Sequence, residues 1–226
     1  MTDTCSVNDH APAASSVSGV VFVVDDDISV RESLELMIRQ AGWEPVLLES
    51  AQAFLAQPAP AAPSCLLLDV RLPDLNGLDL QARIARERTT MPIIFITGYG
   101  DVPLTVRAMK AGAVEVLTKP YDDEVLLRAV ADALERSRQA LGSEAQLHVL
   151  RTAHASLTAR ERDVLGLVVA GHLNKQIAAD LGISEITVKA HRGRVMRKMK
   201  ARSLADLVKM AALLGDGHDG NPIFDR

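Results

Sequence analysis

The first half of the chain alternates short apolar runs with amphipathic stretches, and this alternation limits the possible folds more than any other feature. Apolar runs of four to six residues are typical of buried strands. Strands that alternate with helices predict an α/β domain with a parallel sheet. The predicted strands are Val20–Val24, Pro45–Leu48, Cys65–Asp69, Pro92–Thr97 and Val114–Thr118. The predicted helices are Ser29–Ala41, Ala51–Gln57, Gly77–Glu87, Val102–Ala111 and a longer one from Asp122.

Charged and hydroxyl side chains stand at the ends of four predicted strands. Right-handed crossovers place functional groups at the carboxyl edge of a parallel sheet, so these side chains are expected to converge. Carboxylates gathered at one point need a cation, because otherwise their pKa values rise. One to three carboxylates with water molecules suit Mg²⁺. The residues are Asp25, Asp26 and Asp27 after the first strand, Asp69 and Thr97 ending the third and fourth, and Lys119 after the fifth.

A lysine and a hydroxyl group near a carboxylate indicate phosphoryl chemistry. Lys119 and Thr97 are the groups that would hold phosphoryl oxygens, and the set as a whole indicates transfer of a phosphoryl group to an aspartate. A single aspartate at a strand end is most often a cap or a solvated loop residue, so the prediction depends on the ordered set. Asp27 is predicted to cap the helix that follows it, and Asp74 is predicted to be a turn residue.

Four motifs occur in order along this half: VVDDD, LLLDVRLPDLNG, ITGYGD and AGAVEVLTKP. In this order and spacing they resemble the receiver domains of bacterial response regulators. The resemblance implies a flavodoxin-like α/β fold, with a five-stranded parallel doubly wound sheet of strand order 2-1-3-4-5. It also implies that a sensor histidine kinase transfers a phosphoryl group to Asp69.

The resemblance further implies a metal site and a switch. Thr97 and Lys119 would each bind a phosphoryl oxygen, and the bond between Lys119 and Pro120 is predicted to be cis. Val116 stands where the family has an aromatic residue that swings inward on activation, so Thr97 and the loop after it are expected to carry the signal. The implied Mg²⁺ ligands are Asp25 (directly or through water), Asp26, Asp69 and the backbone carbonyl of Arg71.

The second half differs from the first in charge and pattern. Residues 19–123 hold 15 acidic and 9 basic residues, whereas residues 155–214 hold 5 acidic and 11 basic residues. Opposite charges in the two halves favour two domains with different partners, the basic one facing an anionic polymer.

Capping and stop residues divide the second half into short helices. Thr158 and Glu161 have capping-box spacing, and a glycine turn at Gly182 between two helices is typical of a helix-turn-helix bundle. Upstream, Gly142 and Ser143 are predicted to interrupt the helix that begins near Asp122. The other predicted boundaries are a stop at Gly171, Asn174 capping Lys175–Leu181, Ser184 capping a helix to about Lys200, and a last helix from Ser203.

The segment SEITVKAHRGRVMRKMKAR, from Ser184 to Arg202, carries seven basic residues and one acidic residue. A helix in the major groove presents its first residues to base edges and its flanking residues to phosphates. The segment has no aromatic side chain for stacking, which favours double-stranded DNA over single-stranded RNA. A stripe spaced i, i+3, i+7, i+11 is predicted to face the bundle: Val188, His191, Val195 and Met199.

The pieces LTxRE, AG, NKxIAxxLxIS and TVKxH occur between residues 155 and 215. They resemble the LuxR-type helix-turn-helix of the FixJ/NarL-like response regulators. The resemblance places Thr187–Arg197 in a recognition helix, and Gly193 replaces a basic side chain that relatives carry. The implied DNA contacts are Asn174, Lys175, Ser184, Thr187, Lys189, Arg192 and Arg194.

We therefore predict an α/β receiver joined by a helical linker to an all-α helix-turn-helix domain. The predicted divisions are a disordered tail over 1–18, the receiver over 19–135, the linker over 136–154, the DNA-binding domain over 155–215 and a flexible tail over 216–226. Cys5 and Cys65 show no ligand spacing, which favours a reduced, cytoplasmic chain. No secretory signal or membrane span is predicted.

The leading hypothesis is a two-component transcription regulator and not an enzyme. Phosphorylation of Asp69 is expected to promote homodimerisation and binding to promoter DNA, and to activate transcription with RNA polymerase as a partner. The implied dimer face comprises Val102–Ala111, Val114–Thr118 and the helix from Asp122. Two alternatives are a Mg²⁺-dependent phosphohydrolase with an aspartyl intermediate, and a constitutive DNA binder with a vestigial receiver.

Overall fold

The computed structural model describes residues 19–98 and 102–215, and the two predicted tails lie outside these residues. Five strands alternate with the first five helices, as predicted. The strands are β1 (Val20–Val24), β2 (Glu44–Leu48), β3 (Ser64–Asp69), β4 (Ile93–Thr97) and β5 (Glu115–Thr118). The helices are α1 (Ile28–Gln40), α2 (Ala51–Leu55), α3 (Gly77–Glu87), α4 (Val102–Lys110) and α5 (Asp123–Ala155).

The five strands form one parallel sheet in the order β2-β1-β3-β4-β5. This order confirms the predicted doubly wound topology. The order reverses direction beside β1, so the carboxyl ends of β1 and β3 border the crevice where such sheets bind ligands. All five residues of β1 are buried, because both faces of a parallel sheet are covered by helices.

Two apolar clusters cover the two faces of the sheet. One contains Phe22 and Leu68 with Phe54 of α2 and Leu80 of α3. The other packs residues of α1 and α5 on the opposite face, for example Leu126. The aspartates thus extend from strands whose positions are fixed by buried packing on both sides.

A second compact unit begins after Leu141. It contains the last part of α5 and four further helices around its own apolar cluster. These helices are α6 (Ala159–Val169), α7 (Asn174–Leu181), α8 (Glu185–Met199) and α9 (Leu204–Gly215). None of the helices in the described ranges has the length and hydropathy needed to cross a membrane.

Two predictions about helix boundaries were wrong. Gly142 and Ser143 lie inside α5 and do not interrupt it, because an interior glycine costs a helix only about 1 kcal/mol and strong helix formers flank it. Asn174 is the first residue of α7 and not its cap. The side chain of Gln176 instead accepts a hydrogen bond from the backbone N–H of Leu173, the residue that precedes the helix, at 2.7 Å.

Candidate functional site

The carboxyl ends of β1, β3 and β5 bring three charged side chains into direct contact. Nζ of Lys119 donates hydrogen bonds to Oδ2 of Asp25 at 2.7 Å and to Oδ2 of Asp69 at 2.8 Å. These pairs are 94 and 50 positions apart in the sequence, and only the strand order brings them together. The structure therefore assembles the predicted residues into one cluster, while their chemical roles stay predictions.

Asp25 is the most enclosed member of the cluster, at 2% exposure. Burial raises the pKa of its carboxyl group, and the hydrogen bonds from Lys119 and from the backbone N–H of Asp27 offset that rise only in part. The Arg31 side chain also donates to the Asp25 carbonyl oxygen at 2.6 Å. Burial is the larger cause, so the ionised form of Asp25 is held at a cost that a nearby cation would offset.

Lys119 is held from both its backbone and its side chain. Its backbone N–H donates to the carbonyl oxygen of Thr97 at 2.7 Å, and the predicted cis bond to Pro120 is present. Burial lowers the pKa of the Lys119 ammonium, but the hydrogen bonds to the two carboxylates outweigh this effect and raise it overall. Lys119 is therefore charged at neutral pH.

The loop after β3 fixes the orientation of Asp69. Its Oδ1 accepts a hydrogen bond from the backbone N–H of Arg71 at 2.8 Å, and its side chain retains 12% exposure. Gly77, at the start of α3, closes the loop against the strand. A Cβ atom at Gly77 would lie 2.9 Å from the Asp69 carbonyl oxygen, so only glycine allows this approach.

Asp25, Asp26 and Asp69 form a set of oxygen donors suited to a hard cation. Each offers one carboxylate oxygen, and these atoms lie within 4.8 Å of one another. The cleft around them has a volume of about 410 Å³ and is also lined by Arg71 and Gly98. Carboxylate oxygens with adjoining room for water molecules match the preference of Mg²⁺. The chemistry of these donors therefore fits the ion predicted from the sequence.

Thr97 lies in β4, and Val116 lies in the neighbouring strand β5. Thr97 ends β4 and is 5% exposed, and it pairs in register with Thr118 of β5. Val116 is partly buried and packs against the apolar cluster on the α3 and α4 side of the sheet. Its place in the sheet is thus that of a core residue.

The two other predicted aspartates differ in outcome. Asp27 caps α1 and accepts a hydrogen bond from the backbone N–H of Ser29 at 2.8 Å, as predicted. The prediction of a turn residue missed the main contact of Asp74, whose carboxylate accepts from the backbone N–H groups of Ala51 at 3.2 Å and Gln52 at 2.9 Å. Burial acts against the ionised form, but hydrogen bonds from four backbone groups lower the pKa of Asp74 overall.

The second unit contains the predicted turn between two helices. Gly182 follows α7 in the left-handed conformation, with φ of 64°, and this conformation favours glycine. Ser184 caps α8 by accepting from the backbone N–H of Thr187 at 3.1 Å. Val188, Val195 and Met199 are buried, so the predicted inward face of α8 is confirmed at these three positions.

The predicted DNA contacts fall into two groups. Lys175, Lys189 and Arg194 are exposed. The others take part in contacts within the unit: Arg192 donates to Oδ1 of Asn174 at 2.6 Å, and the hydroxyl groups of Ser184 and Thr187 lie 2.8 Å apart.

One basic residue of α8, Lys198, forms hydrogen bonds within this unit. Nζ of Lys198 donates to Oε2 of Glu161 at 2.6 Å and to the carbonyl oxygen of Ser156 at 2.9 Å. Glu161 is 3% exposed and forms the predicted capping box with Thr158. Hydrogen bonds from the Lys198 ammonium and the Thr158 backbone lower the pKa of Glu161 to about 2. The sequence pattern showed the capping box but gave no signal for its lysine partner.

Comparisons with known proteins match both units. A family described as the response regulator receiver domain matches residues 21–131. A second family, described as bacterial regulatory proteins of the luxR family, matches residues 155–211.

Several relatives are similar over most of their length. The chain is 51% identical to nodulation protein W of Bradyrhizobium diazoefficiens, over 89% of this chain and 88% of that protein. It is 44% identical to response regulator protein TmoT of Ectopseudomonas mendocina, over 87% and 90%. It is 40% identical to transcriptional regulatory protein FixJ of B. diazoefficiens, over 88% and 98%.

Two solved structures resemble both units together. The response regulator StyR has a TM-score of 0.77 and 44% identity, covering 86% of this chain and 98% of that one. Full-length FixJ from B. japonicum has a TM-score of 0.54 and 40% identity, covering 90% and 100%.

Proposed function

The chain belongs to the response regulators that join a receiver domain to a LuxR-type DNA-binding domain, and we propose that phosphorylation of Asp69 controls its binding to promoter DNA. The observation that carries this proposal is the contact of Lys119 with both Asp25 and Asp69. This contact supports the proposal because it holds a lysine ammonium against the carboxylate that would accept the phosphoryl group, beside a cleft whose oxygen donors suit a cation.

The proposed reaction moves a phosphoryl group from a histidine of a sensor kinase to Oδ2 or Oδ1 of Asp69. The nitrogen–phosphorus bond breaks, an oxygen–phosphorus bond forms, and the kinase imidazole leaves. Lys119, which now contacts the Asp69 carboxylate, would donate to a phosphoryl oxygen instead, and the Thr97 hydroxyl would contact another. Mg²⁺ bound by Asp25, Asp26, Asp69 and the Arg71 carbonyl would supply charge neutralisation for these oxygens.

The proposed output is transcription control through double-stranded promoter DNA. Lys175, Lys189 and Arg194 lie exposed, and their positive charges suit phosphate contacts. Ser184, Thr187, Asn174 and Arg192 complete the proposed set. Partnership with RNA polymerase, activation of transcription and a cytoplasmic location, where bacterial DNA lies, belong to the same proposal.

The proposed homodimer forms through α4 and the elements beside it. Val102, Val106 and Met109 are 71%, 45% and 45% exposed. Their spacing of i, i+4 and i+7 makes one apolar stripe on the surface of α4, and Val125 of α5 is also 47% exposed. Water-exposed apolar surface of this kind favours association. A dimer would bind two half-sites and gain affinity by linking them.

The two alternative functions have less support. A phosphohydrolase of this type commonly carries an acid two residues after its nucleophile, and Arg71 occupies that position. A constitutive DNA binder with a vestigial receiver has no need for the assembled contact among Asp25, Asp69 and Lys119. Phosphorylation control is the function that the assembled site supports best.

The test measures binding of a promoter fragment by fluorescence anisotropy, before and after treatment with acetyl phosphate and Mg²⁺. We expect treatment to tighten binding by the wild type and by Asp79→Ala, a control at an exposed aspartate of α3. Asp69→Ala should show no response to treatment. An equal response in Asp69→Ala, or none in the wild type, would contradict phosphorylation control at Asp69.

A further inference from the structure

Ile186 is unusually exposed for a large apolar residue. At 80% exposure it is the most exposed large hydrophobic side chain among residues 19–98 and 102–215. It lies in the first turn of α8, two residues after the Ser184 cap. An isoleucine in this position contributes nothing to the core, and its exposure to water is unfavourable by the area rule for apolar surface.

The surface around Ile186 has a definite charge arrangement. At about 100° per residue, Ile186, Ala190 and Gly193 lie within about 60° of one another on the helix. Val188 and Val195, both buried, lie on the opposite side. Lys189 and Arg194, which are exposed, flank the strip on its two sides. Over the first two turns of α8 the middle of the exposed face therefore has small or apolar side chains and basic margins, and the exposed Arg197 continues the strip one turn further on.

Gly193 leaves the exposed face of α8 open next to Ile186. A Cβ atom at Gly193 would meet no other atom within 4 Å, and its backbone is that of an ordinary helix. Glycine inside a helix costs about 1 kcal/mol relative to alanine. The absence of a side chain at Gly193 leaves room beside Ile186 for a partner to lie against the helix.

We infer that Ile186 contacts the 5-methyl group of a thymine in the major groove and so sets part of the DNA sequence preference. Thymine is the one base that presents a methyl group there, and apolar side chains recognise it. The basic residues on both margins match phosphates on the two sides of a groove, which selects DNA over an apolar protein partner. The inference rests on the proposed DNA binding, and it adds one specific contact with a base to that proposal.

The experiment uses the full chain treated with acetyl phosphate to select duplexes from a random DNA pool. In the selected duplex each thymine is then replaced in turn by deoxyuridine, which lacks only the methyl group. For the wild type we expect one position in each half-site at which replacement weakens binding about fourfold, the effect of returning one methyl group to water. Ile186→Ala should bind the duplex more weakly and lose the response at that position.

A matched control is Leu173→Ala, because Leu173 is similarly exposed, at 70%, but immediately precedes α7 and lies outside α8. This variant should keep the full response to deoxyuridine, and circular dichroism should show both variants folded. Unchanged binding of the wild type to every deoxyuridine duplex would overturn the inference, as would an unchanged response in Ile186→Ala or a lost response in Leu173→Ala. Enrichment of no duplex would instead overturn DNA binding itself, and the inference with it.

Discussion

Each of the two units contains a lysine that contacts an almost fully buried carboxylate, and the two contacts differ in what surrounds them. Lys119 meets Asp25 and Asp69 at the edge of a cleft. Lys198 meets Glu161 and a backbone carbonyl between helices. The first cluster has more carboxylates than cations, whereas the second pairs one with one.

The pKa values show the consequence of this difference. Burial leaves the pKa of Asp25 raised despite its contact with Lys119, whereas the pKa of Glu161 falls to about 2. An excess of buried negative charge is unfavourable until a cation or a phosphoryl group with its metal binds. A balanced pair needs nothing further. The ionised form is thus disfavoured at Asp25 and favoured at Glu161.

The largest difference between the lysines should appear in the rate of phosphorylation. Lys119→Ala removes a donor to the phosphoryl oxygens and should slow labelling by a radioactive phosphodonor about a hundredfold, the usual cost of losing one such donor. Lys198→Ala should label at the wild-type rate. Equal loss in both variants would show that Lys119 acts through stability alone.

The next largest difference between the two lysine–carboxylate contacts should appear in the pH dependence of stability. The pKa of Glu161 is about 2 in the folded chain, below its ordinary value of 4.5. The stabilisation from ionised Glu161 is therefore present above about pH 4.5 and lost as the pH falls towards 2. Thermal unfolding followed by circular dichroism should show this loss in the wild type and a weaker pH dependence in Glu161→Gln. Parallel curves for the two proteins would contradict the assignment.

Mg²⁺ should stabilise only the receiver. The single tryptophan of the chain, Trp43, packs in the receiver cluster that contains residues of α1 and α5, so its fluorescence reports unfolding of that unit. At ten times its dissociation constant, Mg²⁺ should add about 1.4 kcal/mol to the free energy of unfolding measured in urea. Asp26→Ala should abolish this gain and Asp79→Ala should retain it. An equal increase in the free energy of unfolding of Asp26→Ala would show that Mg²⁺ binds at another site.

The smallest effect is expected at the loop beside the receiver cluster. Asp74→Ala removes the carboxylate that accepts from the first N–H groups of α2, and loss of such a cap costs about 1 kcal/mol. Urea unfolding followed by the fluorescence of Trp43 measures this loss of stability. Glu49→Ala, at an exposed residue just before α2, should change stability by less than about 0.5 kcal/mol. No difference between the two variants would exclude a capping role for Asp74.

The amino-acid pattern predicted the strand–helix alternation and showed which acidic residues stand at the ends of the strands. The family resemblance supplied the order of the strands in the sheet. Local rules explain this success, since the Asp27 cap and the Thr158–Glu161 capping box involve residues two or three positions apart. The same rules misplaced the boundary at Asn174, whose side chain accepts a hydrogen bond from Arg192, while Gln176 accepts one from the Leu173 N–H before the helix.

Sequence by itself determined which groups are present at each strand end and which face of α8 is apolar, because both follow from the periodicity of strands and helices. Only the tertiary structure decided that Lys119 contacts both Asp25 and Asp69, that Asp74 caps α2, and that Lys198 donates a hydrogen bond to Glu161. The physical reason is that each of these contacts joins groups more than 20 positions apart in the sequence. Their distance is set by how the strands and helices pack, and no local pattern encodes it.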